Sequence, residues 1–235
     1  MKKTKSKPKT KKKNAEWKGF DDCAICQAMK NGKADSFDGL MEAFDKQNIK
    51  NGHMAMRVQN KNDLYYDAMD ALNVDDYDSA EKMLLKAKEM DSDYVQTYVG
   101  LVSVYGRPKD KNKALENIKI AFDKVLKKFP KWPKKIEWGV LENRAYLRAI
   151  QYRADIYGDE GEKEKAIELY RLLLKLNPND NQGVRYVLSG MYAGISGEEV
   201  NKMFDEGNKK QNWNKLEKLV EVQNKKYKFW DEPKD

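Results

Sequence analysis

The stretch Ile150–Pro178, IQYRADIYGDEGEKEKAIELYRLLLKLNP, contains the clearest helical pattern in the chain and decides its fold. It predicts two amphipathic helices, because apolar and small residues recur every three or four positions and would share one face of each helix. Gly158 and Gly161 bracket the turn between the two helices. Pro178 ends the second helix, since proline lacks the backbone N–H that a continuing helix needs. The stretch therefore predicts a helical hairpin.

The hairpin recurs along the chain. The counterparts of Ala166 are Ala114 and Ala80, and 114 minus 80 gives a period of 34 residues. The step from Ala114 to Ala166 is 52 residues, which is one period plus 18 residues. We place that insertion at 129–146, where prolines and tryptophans interrupt the pattern. A repeated hairpin of this length predicts an all-α solenoid of stacked helix-turn-helix units.

The hairpin resembles the tetratricopeptide repeat (TPR), a 34-residue helix-turn-helix unit. The resemblance rests on small residues where the helices cross, late aromatic residues and a closing proline, which are Ala154, Ala166, Tyr157, Tyr170 and Pro178. More narrowly, Glu142 to Tyr192 resembles a group of bacterial TPR proteins with no assigned role. The resemblance implies a TPR-like solenoid in which the first helix of each unit lines a partner-binding groove.

The pattern divides the chain into six segments. They are a basic tail at 1–18 that we expect to be disordered, a short helical segment at 19–48, TPR-like units 1 and 2 at 62–128, the insertion at 129–146, unit 3 with the first helix of unit 4 at 147–194, and the second helix of unit 4 with a C-terminal capping helix at 195–235. Within the last segment, Ser196 and Glu199 have the spacing of a capping box and predict a helix start.

Positive charge is concentrated in residues 1–18. The chain carries a net charge of +8, and this segment holds nine lysines and one glutamate, so the other 37 basic and 37 acidic residues cancel. Such a segment cannot bury apolar area. It is either a solubilising tail or an electrostatic arm for nucleic acid or an acidic partner. In the second case the phosphate contacts would come from Lys9, Lys11, Lys12 and Lys13, and binding would weaken with salt.

The sequence shows little catalytic potential. Cys23 and Cys26 are the one pair with possible chemistry, but structural zinc needs about four ligands, and the chain adds only His53. The pair has three readings: packing residues, a redox or metal pair completed by another chain, or another role. No nucleophile, base and orienting group come together. We expect no metal, no cofactor and no enzymatic activity.

Without a membrane-length apolar run or a signal-peptide pattern, we expect a cytoplasmic protein with no membrane contact.

The TPR resemblance implies a set of groove residues on the first helices. These are Tyr65 and Met69 in unit 1, Gln96, Val99 and Ser103 in unit 2, Arg148, Gln151 and Asp155 in unit 3, and Arg185 and Ser189 in unit 4. TPR proteins that bind acidic chaperone C-termini have Lys and Asn at the positions of Tyr65 and Met69, so that activity is not expected here.

Arg148 and Arg185 lead to the sharpest hypothesis about the groove. We expect both to project into one concavity and to bind an acidic or C-terminal carboxylate of a partner, because guanidinium–carboxylate contacts are strong. In the competing interpretation they pair with acidic neighbours in the stack, such as Glu142 and Asp155. The predicted function is a scaffold that binds a protein, as a peptide or helix, in the groove. The alternative is a nucleic-acid-associated protein that binds through its tail.

Overall fold

The computed structural model describes residues 23–33, 36, 39–40, 42–43, 46–47, 59–106 and 110–233. The chain forms two compact units, residues 1–59 and residues 60–235. In the first unit, helix α1 spans Ala24–Lys30, and the Cys23 thiol accepts a hydrogen bond from the Cys26 backbone N–H at 3.5 Å. The predicted basic tail at 1–18 and His53 lie outside the described residues.

The described residues of the second unit form nine consecutive helices. They are α2 (Lys61–Asn73), α3 (Tyr77–Met90), α4 (Val95–Tyr105), α5 (Lys111–Lys128), α6 (Leu141–Asp159), α7 (Lys163–Leu176), α8 (Val184–Ala193), α9 (Gly197–Lys210) and α10 (Asn214–Tyr227). Across the described ranges all regular structure is helical, as the repeat pattern predicts. No helix among these residues is both long enough and apolar enough to cross a bilayer.

The helices stack as hairpins in two layers. The pairs α2–α3, α4–α5, α6–α7 and α8–α9 each form one hairpin, and every second helix also packs against the first helix of the next unit. The first helices α2, α4 and α6 contact one another in order. Helix α10 packs on both α8 and α9 and closes the stack. The first helices therefore form an inner layer and the second helices an outer one, which is a helix-turn-helix solenoid.

Small residues allow the helices to cross closely. Ala80, Ala154 and Ala166 are all completely buried. At Gly190 in α8, an added Cβ would lie 2.5 Å from the Cγ2 atom of Val200 in α9, much closer than van der Waals contact. The spacing of α8 and α9 therefore depends on the missing side chain at residue 190.

Helix α4 is enclosed by its neighbours. Ten of its eleven residues are buried, all except Ser103. The helix carries no charged side chain and packs against α2, α3, α5 and α6. A helix that is apolar on all sides belongs in a protein interior. It cannot offer a broad surface to a partner.

The insertion differs from the predicted segment 129–146. Helix α5 extends to Lys128 and α6 already begins at Leu141, so the irregular part covers only residues 129–140. Prolines at 130 and 133 prevent helix formation there. The irregular segment is tied to the stack, because the Ile136 N–H donates to the Leu176 carbonyl at 2.8 Å. The extra residues therefore lengthen two helices as well as their connection.

The end of the chain covers the last hairpin. Ser196 and Glu199 form both hydrogen bonds of a capping box at the start of α9. Beyond α10, Phe229 is buried, and the Trp230 indole N–H donates to the Pro178 carbonyl at 2.8 Å. These two aromatic residues attach the C-terminal segment to the end of α7.

Candidate functional site

The groove predicted between units 1 and 2 is largely closed. Tyr65, Gln96 and Val99 have only 8%, 7% and 2% of their surface exposed. Burial raises the pKa of the Tyr65 hydroxyl, and the nearby Arg148 guanidinium of α6 partly offsets this shift. Side chains of α2 and α6 thus meet beside α4 and cover it. The predicted exposure of these three residues is not observed.

The other expected groove residues of these two units differ in exposure. Met69 is half-buried beside Gly100 of α4, and Ser103 is exposed. Arg148 also lies over the Trp138 ring, with its guanidinium carbon 5.7 Å from the ring centroid. Its charge is therefore held between an aromatic ring of the insertion and Tyr65.

Arg185 is part of a network that joins α8 to α10. Its guanidinium forms an ion pair with Asp180 at 3.0 Å and approaches Glu217 of α10 at 3.4 Å. The Asp180 side chain, which is 1% exposed, also accepts hydrogen bonds from the Val184 and Arg185 backbone N–H groups at 2.7 and 3.0 Å. These bonds satisfy the N-terminal N–H groups of α8. The Arg185 side chain therefore links α8 to the loop before it and to α10.

Two further side chains complete this network. Tyr186 donates its hydroxyl hydrogen to Glu217, and burial together with this bond raises the pKa of Tyr186 to about 12. Ser189 is completely buried, and its hydroxyl donates to the Arg185 carbonyl at 2.7 Å. Ser189 therefore has no exposed surface.

The structure does not place Arg148 and Arg185 in one open concavity. Each guanidinium has its own partners, Trp138 and Tyr65 for the first and Asp180, Glu217 and Tyr186 for the second. The competing interpretation, pairing inside the stack, describes Arg185 correctly. Its partners are Asp180 and Glu217 rather than the acidic residues that we expected.

An open groove does lie on the first-helix layer, between α6 and α8–α9. We call it the inner groove; its volume is about 480 Å³. Its α6 side presents Gln151 and Asp155, two of the predicted groove residues, followed by Gly158 and Asp159. The opposite wall is mainly apolar and consists of Val187, Met191, Ile195 and Val200.

Asp155 is the unusual group of the inner groove. One of its carboxylate oxygens accepts a hydrogen bond from the Tyr170 hydroxyl at 2.5 Å. Burial raises the pKa of Asp155, and the hydrogen bond from Tyr170 only partly opposes this effect. Asp159, one turn later, raises it slightly further. Within the described residues neither aspartate forms an ion pair with a Lys or Arg side chain. The groove therefore combines an apolar wall with unneutralised acidic groups.

Gln151 closes one end of the inner groove. Its side-chain oxygen accepts a hydrogen bond from the Gln182 amide at 2.5 Å, which links α6 to the connection before α8. Gln151 and Asp155, which the sequence proposed as groove residues, both line this groove. Sequence reasoning did not identify Tyr170 or the wall residues, which come from α7, α8 and α9. Only the packing of successive hairpins brings them to α6.

The remaining candidates contribute no site of their own. Cys23 and Cys26 are half-buried, and no cluster of three or more metal-ligating side chains occurs in the described residues. Lys9, Lys11, Lys12 and Lys13 lie outside the described residues, so nucleic-acid binding by the tail stays a prediction.

Stacked hairpins with a groove on the first-helix layer define a helical-repeat solenoid, a class of proteins that binds partners on extended surfaces. Residues 147–180 match the family model of the tetratricopeptide repeat. The match covers α6 from Leu147 onward, α7 and the loop after it, so this hairpin is a repeat of the TPR type. No curated protein matches the chain significantly. The repeat supports a general role as a protein–protein interaction module.

Proposed function

We propose that the protein is a scaffold that binds a peptide segment of a partner protein in the inner groove and carries out no catalysis. The segment presents a Lys or Arg side chain to Asp155 and Asp159 and an adjacent apolar side chain to the wall formed by Val187 and Met191. The observation that carries this proposal is Asp155, a half-buried carboxylate whose pKa is raised by burial and which pairs with no cation among the described residues.

The energetics favour a basic ligand. Removing a carboxylate from water is unfavourable unless it is paired and hydrogen-bonded. In the isolated protein, the contact with the Tyr170 hydroxyl compensates only part of this effect. A ligand ammonium or guanidinium group would add a charge-assisted hydrogen bond, which is about twice as strong as a neutral one. It would also lower the pKa of Asp155 and favour the ionised form.

The size of the inner groove is consistent with an anchoring side chain. Its volume of about 480 Å³ lies within the range of roughly 300–1,000 Å³ typical of ligand pockets. Apolar contact with the wall would contribute about 25 cal/mol for each Å² removed from water. The acidic groups would then fix the orientation of the segment. This charge preference is opposite to the arginine-based hypothesis from sequence.

Selection from a random peptide library against the full chain tests the proposal. Enriched peptides should share a Lys or Arg next to an apolar residue. The double variant Asp155→Asn, Asp159→Asn should weaken their binding by about tenfold or more, because neutral amides cannot form the charged contact. The matched control is Glu164→Gln with Glu168→Gln, two carboxylates at the same spacing on α7, which should leave affinity unchanged. Enrichment of acidic peptides, or equal losses in both variants, would refute the proposal.

A further inference from the structure

A second groove lies on the opposite, second-helix layer. We call it the outer groove; it has a volume of about 740 Å³ and lies between α5 and α7. The insertion contributes Trp132 at one edge, and the C-terminal segment contributes Trp230. From its position, lining and surrounding charge, we propose that the outer groove docks an acidic amphipathic helix of a partner protein.

The floor of the outer groove is apolar. Phe122 and Leu126 come from α5, and Leu169 and Leu172 come from α7. Leu126 is 42% exposed, although it lies within a groove and next to Trp132. Side chains spaced three or four residues apart on two neighbouring helices form a furrow that accepts the apolar stripe of a third helix.

The segment 124–135, which supplies the groove residues Leu126 and Trp132, is rich in lysine, and we call it the basic end of the outer groove. Residues 124–135 contain six lysines and no acidic residue. Lys124 and Lys127 pair with Asp93 at 2.8 and 3.8 Å. In the described part of the chain no ion pair involves the other four, and Lys175 of α7 lines the groove itself. The unpaired lysines of 124–135 are Lys128, Lys131, Lys134 and Lys135.

Stabilisation of the α5 helix dipole explains only some of these lysines. Lys127 and Lys128 lie in the last turn of α5, where lysines stabilise the helix dipole. Lys131, Lys134 and Lys135 belong to the irregular segment, where no dipole explains them. Together with the apolar floor, they are complementary to a helix that carries Leu or Phe on one face and Glu or Asp beside it.

Other occupants fit less well. A nucleic acid carries phosphates along its whole length, so some of them would meet the carboxylates of Glu168 and Asp231 in the groove, whereas a helix can confine its acidic side chains to one end. The chain's own residues 1–18 carry a net charge of +8, the same sign as the basic end. An acidic helix can place its charges against the lysines and its apolar face on the floor.

The test measures binding of a synthetic helical peptide to the full chain by fluorescence anisotropy. The probe has Leu at i, i+3, i+4 and i+7 and Glu at the other positions; the comparison peptide has Lys in place of every Glu. We expect saturable binding of the Glu peptide only. Binding should fall about tenfold or more in Lys128→Glu, Lys131→Glu, Lys175→Glu, and also in Leu126→Lys, which removes the apolar contact while keeping positive charge.

Two controls make the result specific. The charge-matched variant Lys86→Glu, Lys119→Glu, Lys163→Glu lies outside the groove and should bind the Glu peptide normally, as should Asp155→Asn. The proposal is overturned if the Glu peptide does not bind saturably or if the Lys peptide binds equally well. It is also overturned if a single-stranded oligonucleotide shows the same losses across the variants, or if these substitutions dissociate a dimer of the chain in sedimentation experiments.

Discussion

Asp155 destabilises the isolated fold at neutral pH while it shapes the inner groove. Its pKa is raised because the folded chain removes the carboxylate from water without supplying a cation. A group with this property favours folding when protonated and opposes it when ionised. The same residue that would recognise a basic ligand therefore makes the ligand-free protein less stable.

The variant Asp155→Asn tests this interpretation without a ligand. An unfolded Asp titrates near 3.8, so the stabilising contribution of the protonated group is complete below that pH and is lost as pH rises through the higher folded pKa. Because an amide oxygen can still accept the Tyr170 hydrogen bond, the variant should gain stability relative to the wild type between acidic and neutral pH. Thermal melting over a pH series measures this, and a difference independent of pH would contradict it.

Asp180 is also a buried carboxylate with a raised pKa, but Arg185 and two backbone N–H groups engage its oxygens within the fold. The variant Asp180→Ala would leave two backbone N–H groups without an acceptor and would remove one of the two carboxylates that the Arg185 guanidinium contacts. Each buried donor left unsatisfied costs about 1–3 kcal/mol, so we expect a loss of roughly 3 kcal/mol in the free energy of unfolding. Urea denaturation provides the measurement. A loss below about 1 kcal/mol would show that the network contributes little.

At the scale of helices, packing distances decide which residues are tolerated. The variant Gly190→Ala would place a methyl group against Val200 and should destabilise the protein by about 1–3 kcal/mol, the usual effect of overpacking. The matched control is Gly158→Ala in α6, where an added Cβ meets no atom within 4 Å. Gly158→Ala should stabilise the helix by about 0.5–1 kcal/mol. Denaturant midpoints distinguish the two.

A second substitution checks the cause assigned to Gly190→Ala. Adding Val200→Ala removes the Cγ2 atom with which the new methyl group would overlap. The double variant should lose less stability than the two single variants together, because residues in contact are not additive. Additive losses would show that the close approach of α8 and α9 is not the reason.

The sequence pattern predicted which segments are helical better than it predicted where each helix begins and ends. A period of 34 residues located the hairpins, because each unit buries the same face. The start of α6 at Leu141 was missed because Val140 forms no side-chain cap and Trp138 lies just before it. The burial of α4 apart from Ser103 was also missed, since its exposure depends on side chains from two other units. Periodicity identifies the face of a helix but not what covers it.

For the whole molecule, the site residues also show that a helix face can be predicted without predicting what packs on it. Arg185 was assigned to a groove because of its helix face, yet Glu217 lies 32 residues later in the capping helix, outside any repeat. Asp180, in the loop before α8, has a positive φ of 46°, which no spacing rule indicates. By contrast Gln151 and Asp155 line the inner groove, because α8 and α9 face this part of α6 across an open space.

The two grooves give the molecule two surfaces of different character. The inner groove on the first-helix layer is acidic beside an apolar wall, and the outer groove on the second-helix layer is apolar with a basic end. Opposite charges would steer different partners to different faces. Under the two proposals above, one partner would occupy each layer of the same repeat.

The most direct test of the proposed function is a double-mutant cycle between Asp155 and the basic residue of a selected peptide. Calorimetry would compare the wild type and Asp155→Asn, each with the peptide and with a form whose Lys is replaced by norleucine. If the two groups touch, their effects on affinity should be non-additive by about 1 kcal/mol or more. Additive effects would mean that the Lys side chain does not contact Asp155, and the inner groove would not be the binding site.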